Sequence, residues 1–452
     1  MKKVFSLIFV AAFLLLSITL SLGILVAGPS QAGANEVLSK DPALYDKEGN
    51  FNTNILSDVS AWVNDRFFLR QELISANNAM TAALFHTSGE DSVILGKNGW
   101  LYYASTLDDY TGLNTMTERE LSSAAKNIAL MAEYCESNGR DFRFMIAPNK
   151  NSLYPQYMPD YGVKADIHDA HRLHALLDDM DVPYIDLFTV FEETHMGMHG
   201  GALGPLYFAH DSHWNDRGAA LAADTINAQF GVESEYNQNS NFMFPYNHTG
   251  DLYEMVYPAL KDREDSWIWC GVLEYEFTGK ATRPDSITLT TASDNPGNLL
   301  VYRDSFGNLL YPYLADSYGA VRFSRSTSYD LTQESDYVLI ELVERNLGYL
   351  ITYIPVMESP VRDVELPNTV SGTAEAALQA KAKAPEGCKL WKGTLPGTPD
   401  ADSPVYVSCN GTVYEAFCLA ENGFAVYLPE GETPAAVSCT VGGVETAYEL
   451  VS

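Results

Sequence analysis

The longest apolar run opens the chain. After Met1-Lys2-Lys3, the stretch VFSLIFVAAFLLLSITLSLGILVA carries no charge. It is long enough to span a bilayer and longer than a usual secretory core segment. The small residues of QAGA (31–34) offer a signal-peptidase site. Lys2 and Lys3 stay cytoplasmic in either case, so the remainder is expected outside the cytoplasmic membrane. A retained anchor is slightly favoured over a cleaved signal, and this segment is the one expected contact with the membrane.

Further on, the spacing of apolar positions changes repeatedly. A polar segment from residue 35 leads into a helical pattern, DVSAWVNDRFFLRQELISANNAMTAALF. SVILGKNGWLYY places Asn98-Gly99 between two apolar runs, which predicts a hairpin. Thr117 and Glu120 are spaced as a capping box. Behind them Leu121, Ala125, Ile128, Ala132 and Cys135 mark one helical face that Gly139 ends. FRFMIAP (142–148) predicts a strand, HDAHRLHALLDDM a helix and PYIDLF (183–188) a strand. A Gly- and Met-rich loop (195–206) follows, and then FAHDSHW leads into a helix with Asn215 as its N-cap. A polar, aromatic-rich excursion (231–297) separates this part from two more apolar strands, in NLLVYRDSF (298–306) and DYVLIELVERN (336–346). Apolar strands separated by helices predict an α/β fold, a parallel sheet flanked by helices on both faces. From about residue 370 Gly, Thr, Pro and Val dominate and predict a small, sandwich-like all-β module. The expected organisation is an N-terminal segment 1–34, an α/β domain 35–365 and a β-rich domain 370–452.

Composition narrows the class. With 59 acidic against 28 basic residues the formal net charge is −31. Such a surface repels phosphate backbones, so nucleic acid is not an expected partner. Cys388, Cys409, Cys418 and Cys439 cluster near the end of the chain; two disulfides there suit an exported β module, in any of three pairings. Cys135 and Cys270 are expected as buried thiols.

Chemistry collects at the carboxyl ends of parallel strands, and three such ends are rich: HDSHW, RDSF and ERN. A serine hydroxyl needs a neighbouring imidazole to take its proton, and the imidazole needs a carboxylate to fix its tautomer. Asp211 and His213, two apart in a non-helical loop, can form the second pair. Ser305 stands where a strand gives way to a helix, so its N–H is free to help bind an oxyanion. Each motif alone is weak; their joint placement at strand-to-helix junctions raises the odds.

The ordered set PYIDLF…YFAHDSHWNDRGAALAADTI and VYRDSFGN resembles the closing and opening blocks of SGNH hydrolases, in circularly permuted order. That order is the mark of the DHHW branch, which includes the alginate O-acetyltransferases. VILGKNGWLYY, IAPNKNSLYPQYMP, TGDLYEM and LIELVERN are similar to further pieces of that branch, over roughly residues 55–355. The resemblance implies Ser305 as nucleophile, His213 as base and Asp211 as its orienter, with Asp304 at the acidic position of the serine block. It implies Tyr311 as a residue that helps place the acyl group, and Arg345 and Asn346 as oxyanion donors. Lys150, in the PNK element, is implied as an ordering residue. Two positions depart from the family pattern: Arg303 stands where family members carry Gly, able either to crowd the turn or to lend charge near the oxyanion, and Ser212 replaces the first His of the name motif. The implied activity is acetyl transfer to a cell-surface or secreted polysaccharide through an acyl-enzyme, with an integral-membrane acyl-transfer partner. The alternatives are an acetyl esterase with the same triad and a non-catalytic glycan-binding protein. Neither cofactor nor metal is called for. His168, His171 and His174 drift round a helix at i, i+3, i+6 and read as a solvated face. Asn247 and Asn410 begin glycosylation sequons. Tyr246 and Tyr253 read as core.

Overall fold

The computed structural model describes residues 2–33, 36–113, 115–165, 167–197 and 204–451. Helix α1 (Lys2–Ala27) opens the chain, and its stretch Ser6–Ala27 is long and apolar enough to cross a membrane. Ala34, the last residue of the small-residue cleavage motif, lies outside the described residues. The next helical pattern is two helices, α2 (Ile55–Arg66) and α3 (Arg70–Phe85), because Leu69 turns left-handed at φ +60° and breaks the ladder between them. The hairpin is present as β1 (Val93–Leu95) and β2 (Leu101–Tyr103). Asn98 and Gly99 both take positive φ, +57° and +83°, which the Asn-Gly dipeptide tolerates at least cost.

After a short helix α4 (Leu107–Thr111), α5 (Glu118–Ser137) begins at the expected box: Thr117 Oγ1 accepts from the Glu120 N–H while the Thr117 N–H donates to the Glu120 carboxylate. Leu121, Ala125, Ile128 and Cys135 are buried along its inner face. Then come β3 (Asp141–Ala147), α6 (Lys150–Leu153), α7 (Asp169–Asp179), β4 (Tyr184–Ile185), α8 (Leu187–Gly197) and α9 (Asp216–Gln229). Most of the expected strand PYIDLF is therefore not strand: only Tyr184 and Ile185 pair with β3, and α8 starts at once. A hairpin of β5 (Phe242–His248) and β6 (Glu264–Trp269) encloses helix α10 (Asp251–Val256). The chain returns to the sheet as β7 (Glu276–Phe277), β8 (Thr288–Ala292), β9 (Asn298–Tyr302), α11 (Gly307–Ser317), β10 (Ala320–Ser324) and β11 (Tyr337–Val343), ending in a 3₁₀ helix, Glu344–Ile351.

Among the described residues the main sheet has seven strands in the order β4-β3-β11-β9-β10-β8-β7. The first five run parallel, β8 pairs antiparallel with β10, and β7 pairs antiparallel with β8. Strands β7 and β8 therefore belong to the sheet, although the sequence placed them in the excursion; β8 alternates buried Leu289 and Thr291 with half-buried neighbours, which suits an edge with one wetter face. Alternate residues of the central strands enter two separate cores. Leu299, Val301, Leu339 and Val343 face α9 and α11, while Leu300, Tyr302, Val338, Ile340 and Leu342 face α5 and α7. The period of two, apolar on both sides, is what makes these strands read as continuous hydrophobic runs.

From Val361 to Val451 nine strands form one continuous sheet, not two stacked ones, with a buried core of its own. Leu390, Phe417, Ala425 and Tyr427 also enter the core beneath α5. Asn127 of α5 locks this contact: its amide donates to the carbonyls of Leu350 (2.8 Å) and Cys418 (2.7 Å) and accepts from the Cys418 N–H (3.0 Å). The cysteines differ from expectation. All six are free thiols, and the register places none of the four C-terminal ones opposite another: Cys388 faces Pro429, Cys409 faces Thr412, Cys418 faces Phe424 and Cys439 faces Thr446. Cys270 is exposed, not buried.

Candidate active site

The Ser305 turn rests directly on the sheet. Strand β9 delivers Arg303, Asp304 and Ser305 at its carboxyl end, beside the end of β11. Asp304 ties the two together: its carboxylate accepts the N–H of Phe306 (2.9 Å), the N–H of Val343 (2.8 Å) and the side-chain amide of Asn346 (3.2 Å). Its own N–H donates to the Glu341 carboxylate at 3.0 Å. Glu341 sits on β11 among apolar neighbours and is 1% exposed. Burial and the Asp304 charge push its acid well above the ordinary value. The Arg303 guanidinium points into structure: it donates to the carbonyls of Asp304 and Pro284 and to the Asn308 side chain. A Cβ on Gly307 would lie 2.3 Å from Arg303 Cδ, so a glycine four residues on makes room for the Arg303 side chain. Burial lowers the Arg303 pKa to about 10, against the pull of Glu341 and Asp304, and leaves the guanidinium charged at neutral pH. The Ser305 N–H has no hydrogen-bond partner among the described residues.

The His213 loop, by contrast, has almost no strand beneath it. Asn215 caps α9 as expected, accepting from the N–H groups of Arg217 (3.0 Å) and Gly218 (3.2 Å). Lys150, buried at the start of α6, donates to the carbonyls of Phe208 (3.1 Å), Ala209 (3.0 Å) and Asp211 (2.6 Å). Its Nζ also lies over the rings of Trp100 and Tyr102. Burial lowers its pKa to about 8, partly offset by the charges of Asp211, Glu264 and Asp251. Trp214 joins the two loops, donating its indole N–H to the Phe306 carbonyl at 3.1 Å.

Across that junction the side chains form a line. His213 Nε2 is 2.8 Å from Ser305 Oγ, and His213 Nδ1 is 2.7 Å from Asp211 Oδ1. The other Asp211 oxygen takes His248 Nε2 at 3.0 Å and the Asp251 N–H at 3.1 Å. Burial opposes charge on Asp211, yet the hydrogen bonds and charges of His213 and His248 hold its carboxyl well below the usual range. For His213 burial also opposes charge, but the bond to Asp211 and the charges of Asp211 and Asp251 raise its pKa. Such an arrangement can take a proton from an alcohol.

Arg345 and Asn346 arrive from the other side. The Arg345 guanidinium lies 5.5 Å from the rings of both Phe306 and Tyr103, without a hydrogen-bond or ion-pair partner among the described residues. Ser305, Arg303, Asp304, Glu341 and Asn346 line a cavity of about 240 Å³. Tyr311 packs on α11 against the rings of Tyr275, Phe277 and Phe323.

The sequence reading missed His248, Asp251 and Glu341. Asp251 lies within TGDLYEM, a motif noted but not assigned a role, and its carboxylate accepts the N–H and hydroxyl of Ser212, both at 2.7 Å. Gly250 lets that segment approach, since a Cβ there would lie 2.2 Å from the His210 carbonyl oxygen. Glu341 was visible as an acid inside an otherwise apolar strand. The solvated face expected of His168, His171 and His174 is corrected: His168 and His174 are buried and only His171 is exposed. His174 stacks on Tyr184 at 4.3 Å. Tyr246 is exposed rather than core, and Tyr253 stacks on His210. Of the loop expected over 195–206, residues 195–197 end α8 and residues 198–203 lie outside the described residues.

Comparison with known proteins agrees with the resemblance read from the motifs. Residues 93–260 match the family described as "SGNH hydrolase-like domain, acetyltransferase AlgX". That segment holds Lys150, Asp211, His213 and Asp251 and ends before Ser305. The chain is similar to a probable alginate O-acetylase AlgJ of Pseudomonas syringae pv. tomato, 26% identical over 156 residues, 33% of this chain and 36% of that protein. The match thus spans about a third of the relative's length. Solved structures that it resembles include a DHHW family protein from Eubacterium siraeum (15% identity, TM-score 0.43, covering 59% of this chain and 96% of that one). Another is the O-acetyltransferase domain of Pseudomonas putida AlgJ (18% identity, TM-score 0.38, covering 57% and 92%). The chain resembles the SGNH, DHHW-branch proteins in its motifs and is an α/β protein with a C-terminal all-β region.

Proposed function

We propose that this protein is an extracytoplasmic serine O-acetyltransferase that acetylates a polysaccharide. The observation that carries the reading is the unbroken line from Ser305 Oγ through His213 to Asp211. Ser305 Oγ attacks the acyl carbon of the donor while His213 Nε2 takes the hydroxyl proton. The Ser305 N–H receives the oxyanion, and Asn346 or Arg345 supplies a second donor. As the tetrahedral adduct collapses, the donor's leaving group departs with the proton from His213, leaving acetyl-Ser305. A sugar hydroxyl then gives its proton to His213 and attacks the acyl carbon, and Ser305 leaves with that proton restored. Asp211 stays ionised throughout and steadies the imidazolium. Helix α1 holds this chemistry at the outer membrane-water boundary, within reach of an integral-membrane acyl donor.

The test is incubation of the purified chain with a chromogenic acetyl ester, with and without oligosaccharide acceptors. Acetylated sugar that disappears in Ser305→Ala and His213→Ala is the expected result. Acetate release without acetylated sugar replaces transfer by ester hydrolysis. Failure of a serine-directed fluorophosphonate to label wild type overturns the triad.

A further inference from the structure

A second cluster of ionisable side chains lies at the start of the 3₁₀ helix that follows β11, outside the triad. Three elements meet there. Helix α4 contributes Asp109, the N-cap position of α7 contributes His168, and the first residue of the 3₁₀ helix is Glu344. His168 Nδ1 is 3.3 Å from Asp109 Oδ2 and 3.7 Å from Glu344 Oε1, and one ligand atom of each residue lies within 4.8 Å of the others. The Glu344 side chain is completely buried. Its Oε2 is oriented by the Asn149 N–H (2.8 Å) and the Ser152 hydroxyl (2.6 Å). Its Oε1, which faces His168, has no hydrogen-bond partner.

From this geometry we propose that Asp109, His168 and Glu344 bind a divalent cation of the zinc class. At 3.7 Å the imidazole and Glu344 Oε1 are too far apart for a hydrogen bond, and 3.3 Å is long for one. Two ligands on one ion account for both separations better: bonds of about 2.0–2.2 Å in a tetrahedral site put neighbouring ligand atoms about 3.3–3.6 Å apart, which the Asp109–His168 separation meets and the His168–Glu344 separation exceeds slightly. One imidazole nitrogen and two carboxylate oxygens are ordinary zinc donors, and water is the ordinary fourth ligand of such a set. Asn149 and Ser152 do for Glu344 what outer-shell partners do in metal sites, holding one oxygen so that the other points at the ion. A buried carboxylate oxygen with no partner is costly, and a cation removes that cost.

Two other clusters sharpen the contrast. In His210–Asp262–Glu264 the carboxylates are already engaged by the N–H groups of Ala209, His210 and Gly250 and by the His210 ring. In Asp211–His213–Asp251 they are engaged by His213, His248 and Ser212. Neither leaves a buried oxygen open. The proposed site does not depend on acyl transfer, although an ion there pins the turn that carries Arg345 and Asn346.

The test uses the full-length chain without an affinity tag, stripped with a chelator and titrated with zinc by calorimetry, with bound metal counted by mass spectrometry. One zinc per chain is expected, together with a rise in melting temperature. Asp109→Asn, at the most exposed of the three side chains (18%), is expected to weaken binding at least tenfold and to lose the zinc-dependent rise. His168→Ala and Glu344→Gln are expected to do the same, while His210→Ala binds zinc as wild type does. Cobalt(II) substitution should give a d–d absorption band that Asp109→Asn loses. No stoichiometric zinc in wild type, or unchanged zinc affinity in folded Asp109→Asn, overturns the proposal.

Discussion

The two loops that meet at the triad are held in opposite ways. The Ser305 turn leaves a central strand and is fastened to the neighbouring strand by carboxylates, Asp304 and Glu341, that accept or receive backbone N–H groups. The His213 loop follows the two-residue strand β4 after a long connection and is closed by only a single antiparallel bridge, Tyr207 against Trp214. A buried cation, Lys150, gathers three of its carbonyls instead. The difference teaches which group each loop depends on. A turn at a strand end needs its free N–H groups satisfied, so it takes anions. A loop folded back on itself points carbonyls inward, so it takes a cation.

The largest effect is expected where both loops converge. Ser305→Ala should lower acetyl-ester turnover by at least about 10³-fold and abolish fluorophosphonate labelling while leaving the melting temperature within a few degrees. Retained turnover would place the nucleophile elsewhere.

Next in size is Lys150→Met. It removes the Lys150 hydrogen bond from the Phe208 and Asp211 carbonyls, at about 1–3 kcal/mol each, while the Ala209 carbonyl keeps the Leu101 N–H, and it regains part of the cost of burying the charge. A net loss of about 2–4 kcal/mol and a roughly hundredfold fall in turnover are expected, read from a thermal melt and steady-state rates.

Asp304→Asn should do less to stability, about 1–2 kcal/mol, because the β9–β11 ladder still holds the turn. An Asp304 variant that melts below the Lys150 variant breaks the contrast between the loops.

The smallest effect is a shift along the pH axis. The proposed base, His213, must be neutral to act, and neighbouring negative charge favours its protonated form, so the rate should rise with pH through a midpoint above the ordinary 6.5 of histidine. Asp251→Asn removes one of those charges and should move the midpoint down by less than about one unit. An upward shift in the measured pH–rate profile would show that Asp251 acts on His213 in some other way.

Much of the site was legible because its parts are local. Asp211 and His213 are two apart, Asn215 caps the helix that follows them, and Ser305 ends an apolar strand. The residues that complete the site were harder to see. His248 and Asp251 come from a hairpin some forty positions downstream, and no periodicity announces them. Glu341 was legible as an anomaly, an acid in a strand apolar on both faces, but not as a partner for Asp304. The return of β7 and β8 to the sheet edge was hidden because an edge strand with one wetter face lacks the continuous apolar run of the central strands.

By itself the sequence determined what short-range forces decide: the capping box at Thr117, the Asn-Gly turn, the period-two strands and the spacing of acid and imidazole. Only the tertiary structure decided which buried charges meet. It brought Ser305 to His213, Lys150 beneath a loop some sixty residues on, and Glu344 beside His168 and Asp109. It also left the cysteines as free thiols. The physical reason is range: caps and turns are settled within a few residues, whereas the partner of a buried charge is whichever group the packed core brings within about 3 Å, at any distance along the chain.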